Sequence, residues 1–398
     1  MKAKLSVLSC MLVAAGLASP LVQAQEKVKI GFVTDMSSLY ADVDGKNGAI
    51  AMQMAIEDFG GKALGQPIEF MSADHQNKAD IAASKMREWI DTQNISLVFS
   101  GTNSGTALAV SQVANEKKRV HFNNGAGSSA LTNEQCNPYT VHYVYDTVAL
   151  AKGTGGAVVD RGGKDWFFLT ADYAFGQALE SDTTKVINAK GGKVLGSVKH
   201  PLNASDFSSF LLQAQNSKAH ILGLANAGGD TINAIKAAKE FGINKTMKTA
   251  GLLVFLTDIH SLGLKNTEGL LHTTSWYWDM NDESRKFANK FFAKTKRMPT
   301  DVQAGNYSAV MTYLKAVEAV KTTNPDKVMA YLKSTPINDF YGKGVIRPDG
   351  TFAHDMYLVE AKKPSESTKP WDYLKVLNKL PADTVWTTKA ETKCALWK

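Results

Sequence analysis

Hydroxyl, amide and glycine residues gather after the apolar runs of this 398-residue chain in a pattern that could hold an anion without a buried cation. The first such run is followed by Asp35-Met36-Ser37-Ser38-Leu39-Tyr40-Ala41-Asp42, the third by Ser100-Gly101-Thr102-Asn103-Ser104-Gly105, and the fourth by Asn123-Asn124-Gly125-Ala126-Gly127-Ser128-Ser129. Backbone N–H groups left free at a helix start, with hydroxyls and amides beside them, can bind a carboxylate. Ser and Asn are also ordinary helix N-caps, so Ser104 and Ser128 carry both roles. Three loops of this kind in one half of the chain exceed what capping demands. Two later loops, Ala171-Asp172-Tyr173-Ala174-Phe175-Gly176 and Asn226-Ala227-Gly228-Gly229-Asp230, add two aromatic rings and an acid. Phe175 could equally pack at a helix start, and Asp230 could serve its own helix dipole or pair with a ligand cation. Trp276, Tyr277 and Trp278 could stack on a flat ligand or seal a joint between domains.

Chemistry of other kinds finds little support. Gly125-Ala126-Gly127-Ser128-Ser129-Ala130 matches G-x-G-x-x-A, but it follows the fourth strand-like run rather than the first. No G-x-S-x-G elbow, H-E-x-x-H pair or phosphate-loop lysine occurs. The eight histidines show no metal spacing and no CxxC is present. The expectation is therefore a binding protein with no catalytic residue, no cofactor and no metal.

These loops need parallel strands to position them. Short β-branched or aromatic runs alternate with helical patterns from residue 28 onward, as βαβ units require. Strands are predicted over 28–33, 68–71, 97–99, 120–122 and 140–145, with helices over 48–59, 79–92 and 105–117. The pattern restarts with helix 149–159, strand 166–170, helix 177–190, strand 194–198, helix 207–215, strand 221–225 and helix 231–241. A strand-like run over 270–278 then leads to helices over 283–296, 304–321 and 326–332. The fold class expected is α/β, two doubly wound parallel-sheet lobes joined by a multi-stranded hinge. Lobe 1 takes residues 25–145 and 275–350, lobe 2 takes 146–274 and 351–362, and 363–398 form a polar tail. Ligands of open parallel sheets sit beyond the carboxyl ends of the strands, where the loops above lie.

Residues 1–24 read as an export signal: Lys2 and Lys4, an apolar stretch from residue 5 to 21, and Val22-Gln23-Ala24 as a cleavage site. Ser6, Ser9, Gly16, Ser19 and Pro20 interrupt that stretch, which disfavours a membrane span. Cys10 lies too early in it for a lipidation site. The net charge is +7, and without residues 1–24, which carry two lysines and no acid, +5. Basic residues are mixed with acidic ones, so neither nucleic-acid binding nor membrane insertion is expected. Cys136 and Cys394 remain after cleavage, and two cysteines in an oxidising compartment are expected to pair.

Asp35-Met36-Ser37 with Tyr40-Ala41-Asp42, Asp58-Phe59-Gly60-Gly61, the Asp172–Gly176 loop, and Asn226–Asp230 before Lys236-Ala237-Ala238-Lys239-Glu240-Phe241-Gly242 resemble type I periplasmic solute-binding proteins of the branched-chain amino acid (Leu/Ile/Val) ABC transporter family. The likeness runs from about residue 27 to 360. It implies a periplasmic, non-enzymatic receptor, acting as a monomer, that closes two lobes over a small molecule and delivers it to permease subunits. The resemblance places the ligand carboxylate on Thr102 to Ser104 and Asn124 to Ser128, Tyr173 over the ligand, and Asp230 where amino-acid receptors pair the ammonium. The Asp-Met-Ser…Tyr-Ala-Asp pattern, the Asn226–Asp230 run and Tyr277-Trp278-Asp279 resemble a subgroup of aromatic-acid receptors. The expected ligand is a small aromatic or hydrophobic carboxylate. An amino acid, or a role as a ligand-sensing receptor subunit, is the alternative. The ligand-binding set is Tyr40, Thr102, Asn103, Ser104, Asn124, Gly125, Ala126, Ser128, Tyr173, Phe175, Asn226, Asp230 and Trp276.

Overall fold

A computed structural model describes residues 26–398; the export signal and its cleavage near Ala24 lie outside the described residues. Five short strands form the first sheet: β1 (Lys29–Thr34), β2 (Glu69–Asp74), β3 (Leu97–Ser100), β4 (Val120–Asn123) and β5 (Thr140–His142). Their order is β2-β1-β3-β4-β5 and every pairing is parallel. Both faces of β3 and β4 are buried; β3 accordingly reads as a continuous apolar run, whereas β4, Val-His-Phe-Asn, alternates and buries its polar side chains as well. Helices α1 (Gly45–Asp58), α2 (Ala79–Gln93) and α3 (Ser104–Glu116) connect them.

The second sheet comprises β6 (Asp165–Ala171), β7 (Lys193–His200), β8 (Ile221–Ala225) and β9 (Lys248–Gly251), in the parallel order β9-β8-β6-β7. Its helices are α4 (Thr147–Leu150), which runs through the π-helical turn Ala151–Gly155 into Gly156–Asp160, then α5 (Ala174–Ala189), α6 (Ser208–Asn216), α7 (Gly229–Glu240) and α8 (Leu256–Leu262). The chain is thus α/β with two doubly wound lobes.

The strand-like run after residue 270 is shorter than its sequence suggests. Only β10 (Leu271–Thr274) is a strand, and Trp276, Tyr277 and Trp278 fold into a buried turn. Helices α9 (Asp282–Thr295), α10 (Asp301–Val320) and α11 (Pro325–Ser334) follow, with α10 packed along α1 of the first lobe. The return to the second lobe comes later than residues 350–352. Strand β12 (Phe352–His354) still pairs with β11 (Lys343–Ile346), and Thr351 bridges His142 at the edge of the first sheet. Strand β13 (Met356–Ala361) then pairs antiparallel with β10. Residues 363–398 are more than a tail. They contribute β14 (Leu374–Leu380), paired antiparallel with β13.

Beyond β14 the chain runs back to the first lobe. Trp386 Nε1 donates to the His354 carbonyl at 2.7 Å and Arg347 donates to the Thr387 carbonyl at 2.8 Å, while Lys152 of the second lobe donates to the Trp386 carbonyl at 3.0 Å. Cys394 there forms a disulfide with Cys136, 258 residues earlier. Among the described residues no helix is long and apolar enough to cross a membrane, and no group of His, Cys, Asp and Glu is placed to hold a metal ion.

Candidate functional site

The cleft between the lobes is built by the loops at the carboxyl ends of the strands. Asp35, fully buried, folds the loop after β1: its carboxylate accepts the Ser37, Ser38 and Tyr40 backbone N–H groups, the last at 2.8 Å, and the Asn77 amide at 2.8 Å. That turn carries Tyr40 into the cleft. The loop after β3 ends in Asn103, which has φ 77° and ψ 111° and caps α3 by accepting the Gly105 and Thr106 N–H groups. A non-glycine residue in that region is strained. It is held by its own amide, which donates to Asn77, and by His75, whose Nε2–H donates to the Thr102 carbonyl at 3.0 Å.

Asn103 is therefore the cap, and Ser104 is released from that role. Ser104 Oγ accepts the Ser128 N–H at 3.1 Å, which leaves its hydroxyl proton available, while Ser128 makes no side-chain cap of its own. The N–H groups of Ser104, Gly125, Ala126 and Gly127 lie outside the protein's backbone hydrogen-bond network. Together with the N-terminus of the 13-residue helix α3, they form a concentration of unspent donors.

Facing these donors are aromatic rings. Tyr40, Thr102, Asn103, Ser104, Gly125, Ala126 and Gly127 of the first lobe line a cleft with Tyr145 at the first crossing and Tyr173, Phe175, Ala227, Leu253 and Phe255 of the second lobe. Tyr173 and Phe175 have ring centroids 6.1 Å apart, and Tyr145 and Phe255 6.2 Å. Between them the cleft keeps a cavity of only about 10 Å³, far below the ~300–1,000 Å³ of sites for drug-sized ligands. No Lys, Arg or His side chain is among the residues lining it. The lobes touch across it: the Tyr40 and Tyr173 hydroxyls hydrogen-bond, and the Gly229 N–H donates to the Leu39 carbonyl at 3.3 Å. Burial pushes the Tyr40 and Tyr173 phenols well above their ordinary range, so both are neutral donors and acceptors. This is a closed arrangement.

Of the sequence-predicted set, Tyr40, Thr102, Asn103, Ser104, Gly125, Ala126, Tyr173 and Phe175 meet at the cleft. Asn124 and Ser128 flank it and are buried; the Asn124 amide has no partner on either atom. Three residues have other engagements. Asn226 accepts from Thr231 at 2.7 Å and donates to His200 at 3.1 Å. Asp230 receives the Asn203 and Ala204 N–H groups, one on each oxygen, and burial raises its pKa to about 6. Trp276 is a sealing residue, donating to Ser284 at 3.0 Å and packed edge-on against Phe287 and Phe340. Tyr277 and Trp278 both donate to the Trp371 carbonyl.

Gly127, Tyr145, Ala227, Leu253 and Phe255 also line the cleft and are absent from the predicted set. Leu253 and Phe255 follow β9, whose sequence Lys-Thr-Ala-Gly gives no apolar run. Tyr145 follows β5 once that strand ends at His142.

The comparisons with known proteins agree with this architecture. The family model described as periplasmic binding protein matches residues 27–368. The chain belongs to the periplasmic binding protein family. It is similar, at 66% identity over 94% of this chain and 99% of the other, to a periplasmic binding protein from Burkholderia mallei, with a TM-score of 0.93. A branched chain amino acid ABC transporter periplasmic ligand-binding protein from Burkholderia xenovorans is 41% identical over 94% and 100% of the two chains, with a TM-score of 0.84. A solute-binding protein from R. palustris in complex with 4-hydroxybenzoate is 21% identical over 91% and 99%, with a TM-score of 0.82, and shares the fold. The protein is thus a periplasmic binding protein of the ABC transporter type, a class that binds small ligands and works with a membrane permease.

Proposed function

We propose that this periplasmic binding protein captures a small aromatic or hydrophobic carboxylate between its lobes and hands it to the permease subunits of an ABC importer, acting as a monomer after cleavage near Ala24. The observation that carries the reading is the cleft's composition. Unspent donors at the N-terminus of α3 and in the loop after β4 face the rings of Tyr40, Tyr145, Tyr173, Phe175 and Phe255 across the closed cleft. Donors from a helix start suit a carboxylate, and rings suit a flat apolar body. An amino acid would also need a partner for its ammonium. Asp230 has both oxygens occupied by backbone N–H groups, which favours a ligand without that charge. The Burkholderia xenovorans relative, described as a branched chain amino acid transporter component, favours the second reading, an amino acid.

A ligand that binds the closed form better shifts the open–closed equilibrium toward it and raises the melting temperature by mass action. A thermal-shift screen of aromatic acids, aliphatic acids, amino acids and amides separates the two readings. Aromatic acids are expected to give the largest shifts. A shift with leucine and none with benzoate or its hydroxylated forms would reverse the assignment.

A further inference from the structure

His142 ends β5, is buried at 1% exposure and does not line the cleft. Its Nε2 lies 2.7 Å from the Ala126 carbonyl oxygen, and since a carbonyl only accepts, Nε2 carries the proton. Asn123, at the end of β4, donates its amide to the same oxygen at 2.7 Å. Two side chains from adjacent strands therefore pull one carbonyl into the body of the first lobe.

A trans peptide places its N–H opposite its C=O, and none of the described bonds is cis. With the Ala126 carbonyl held inward, the Gly127 N–H is turned outward. Gly127 lines the cleft, and a Cβ built on it would fall 2.9 Å from the Phe175 ring and 3.0 Å from the Tyr145 ring. Gly127 therefore sits against two of the rings that enclose the ligand space, with its N–H on the side away from the inward-held carbonyl. Donors on the carbonyl polarise the peptide and strengthen the N–H as a donor in turn. Burial holds the imidazole down to about 4, against the pull of the Ala126 and Tyr145 carbonyls, so the neutral ring with its Nε2 proton persists throughout the neutral range. The cost is visible on the other nitrogen, because His142 Nδ1 is buried with no hydrogen-bond partner.

We propose that His142, with Asn123, is a positioning residue that fixes the Ala126–Gly127 peptide so that the Gly127 N–H is presented to the ligand carboxylate. The proposal rests on the carboxylate reading of the cleft. The test measures calorimetric affinity for two probes, benzoate and L-leucine, on the wild type, His142→Leu, His142→Gln and Asn123→Ser, alongside the melting temperature of each ligand-free protein. The Gln amide can reach the Ala126 carbonyl in place of Nε2. For the probe that the wild type binds, His142→Leu is expected to weaken binding roughly 10- to 100-fold, the equivalent of one hydrogen bond to a charged acceptor. His142→Gln should recover to within about threefold, and Asn123→Ser should weaken binding less than His142→Leu. If His142→Leu binds as the wild type does, or if Gln rescues no better than Leu at equal melting temperature, the positioning role is overturned while the carboxylate site stands. If the wild type binds neither carboxylate, the reading of the site falls and takes the proposal with it.

Discussion

Gly228 offers a direct test of the closed arrangement. It has φ 58° and ψ −132°, a region that only glycine occupies without strain, and it lies opposite the loop after β1. A Cβ at this position would stand 2.9 Å from the Leu39 carbonyl oxygen and 3.0 Å from the Tyr40 ring. Gly228→Ala therefore has two separable effects. The backbone strain, of order 1–3 kcal/mol, is present whether the lobes are open or closed, so it lowers stability without moving the closing equilibrium. The clash with Leu39 and Tyr40 exists only when the lobes meet. Overpacking of this kind costs about 1–3 kcal/mol, which disfavours the closed form roughly 5- to 150-fold. Calorimetry should show ligand affinity reduced by about that factor, and scanning calorimetry a fall of about 1–2 °C for each kcal/mol of strain in a chain of this length. Gly229→Ala is the control: its Cβ would meet the far end of the Leu39 side chain, which can turn away, so affinity should stay within a few-fold. Unchanged affinity in Gly228→Ala despite a lower melting temperature would show that Leu39 and Tyr40 do not meet Gly228 in the bound state.

Three other expectations concern Asp230, the disulfide, and the buried acids and histidines. Asp230→Asn leaves one of the Asn203 and Ala204 N–H groups without an acceptor, so stability should fall by about 1–3 kcal/mol while affinity for an aromatic acid changes little. A large affinity loss at unchanged stability would instead place an ammonium at Asp230. Replacing both cysteines by serine removes a covalent loop of 258 residues and should cost about 2–5 kcal/mol, read as a lower melting temperature that reductant reproduces in the wild type and leaves unaltered in the variant. Burial raises the carboxyls of Asp44, Asp146 and Asp258 to about 7. Raised acids bind protons in the folded state that the unfolded chain has already lost, so their unfavourable effect grows as pH rises from about 4 to about 7. Buried His121, His142 and His272, lowered to about 3, 4 and 4, act oppositely, and the stability they contribute is lost as pH falls below the ordinary histidine value near 6.5. The two effects oppose each other below that value, whereas above it only the carboxyls remain. The ligand-free protein should melt lower at pH 8 than at pH 6.5; a higher melting temperature at pH 8 would contradict the burial of these acids without a cationic partner.

The central parallel strands of both lobes were legible because strands buried on both faces favour unbroken apolar runs, as Leu97-Val98-Phe99 and Ile221-Leu222-Gly223-Leu224 show. The loops that carry the cleft donors followed from where those runs end. Strand β9 escaped because Lys-Thr-Ala-Gly at a sheet edge needs little apolar surface, and with it went Leu253 and Phe255. Strand β14 is solvent-facing over much of its length, so its alternation is weak and its residues read as a tail. Residue type located Asn226, Asp230 and Trp276 near the right place, but type cannot tell whether a polar group is already satisfied. Their partners lie outside the loops themselves: His200 and the Asn203–Ala204 backbone in a segment upstream, and Ser284 on the helix that follows Trp276.

The disulfide that fastens residues beyond β14 to the first lobe also decides how the molecule would respond to force. A pull applied at residues 26 and 398 would be carried by the 110 residues before Cys136 and the four beyond Cys394. The whole second lobe and every crossing between the lobes lie inside the covalent loop, where roughly 3.4 Å per residue of extensible chain stays slack. Its roughly 880 Å of hidden length would be paid out only after reduction. Between its own ends, the oxidised protein is mechanically a chain of little more than a hundred residues, and the lobe that closes over the ligand is shielded from any tension on them.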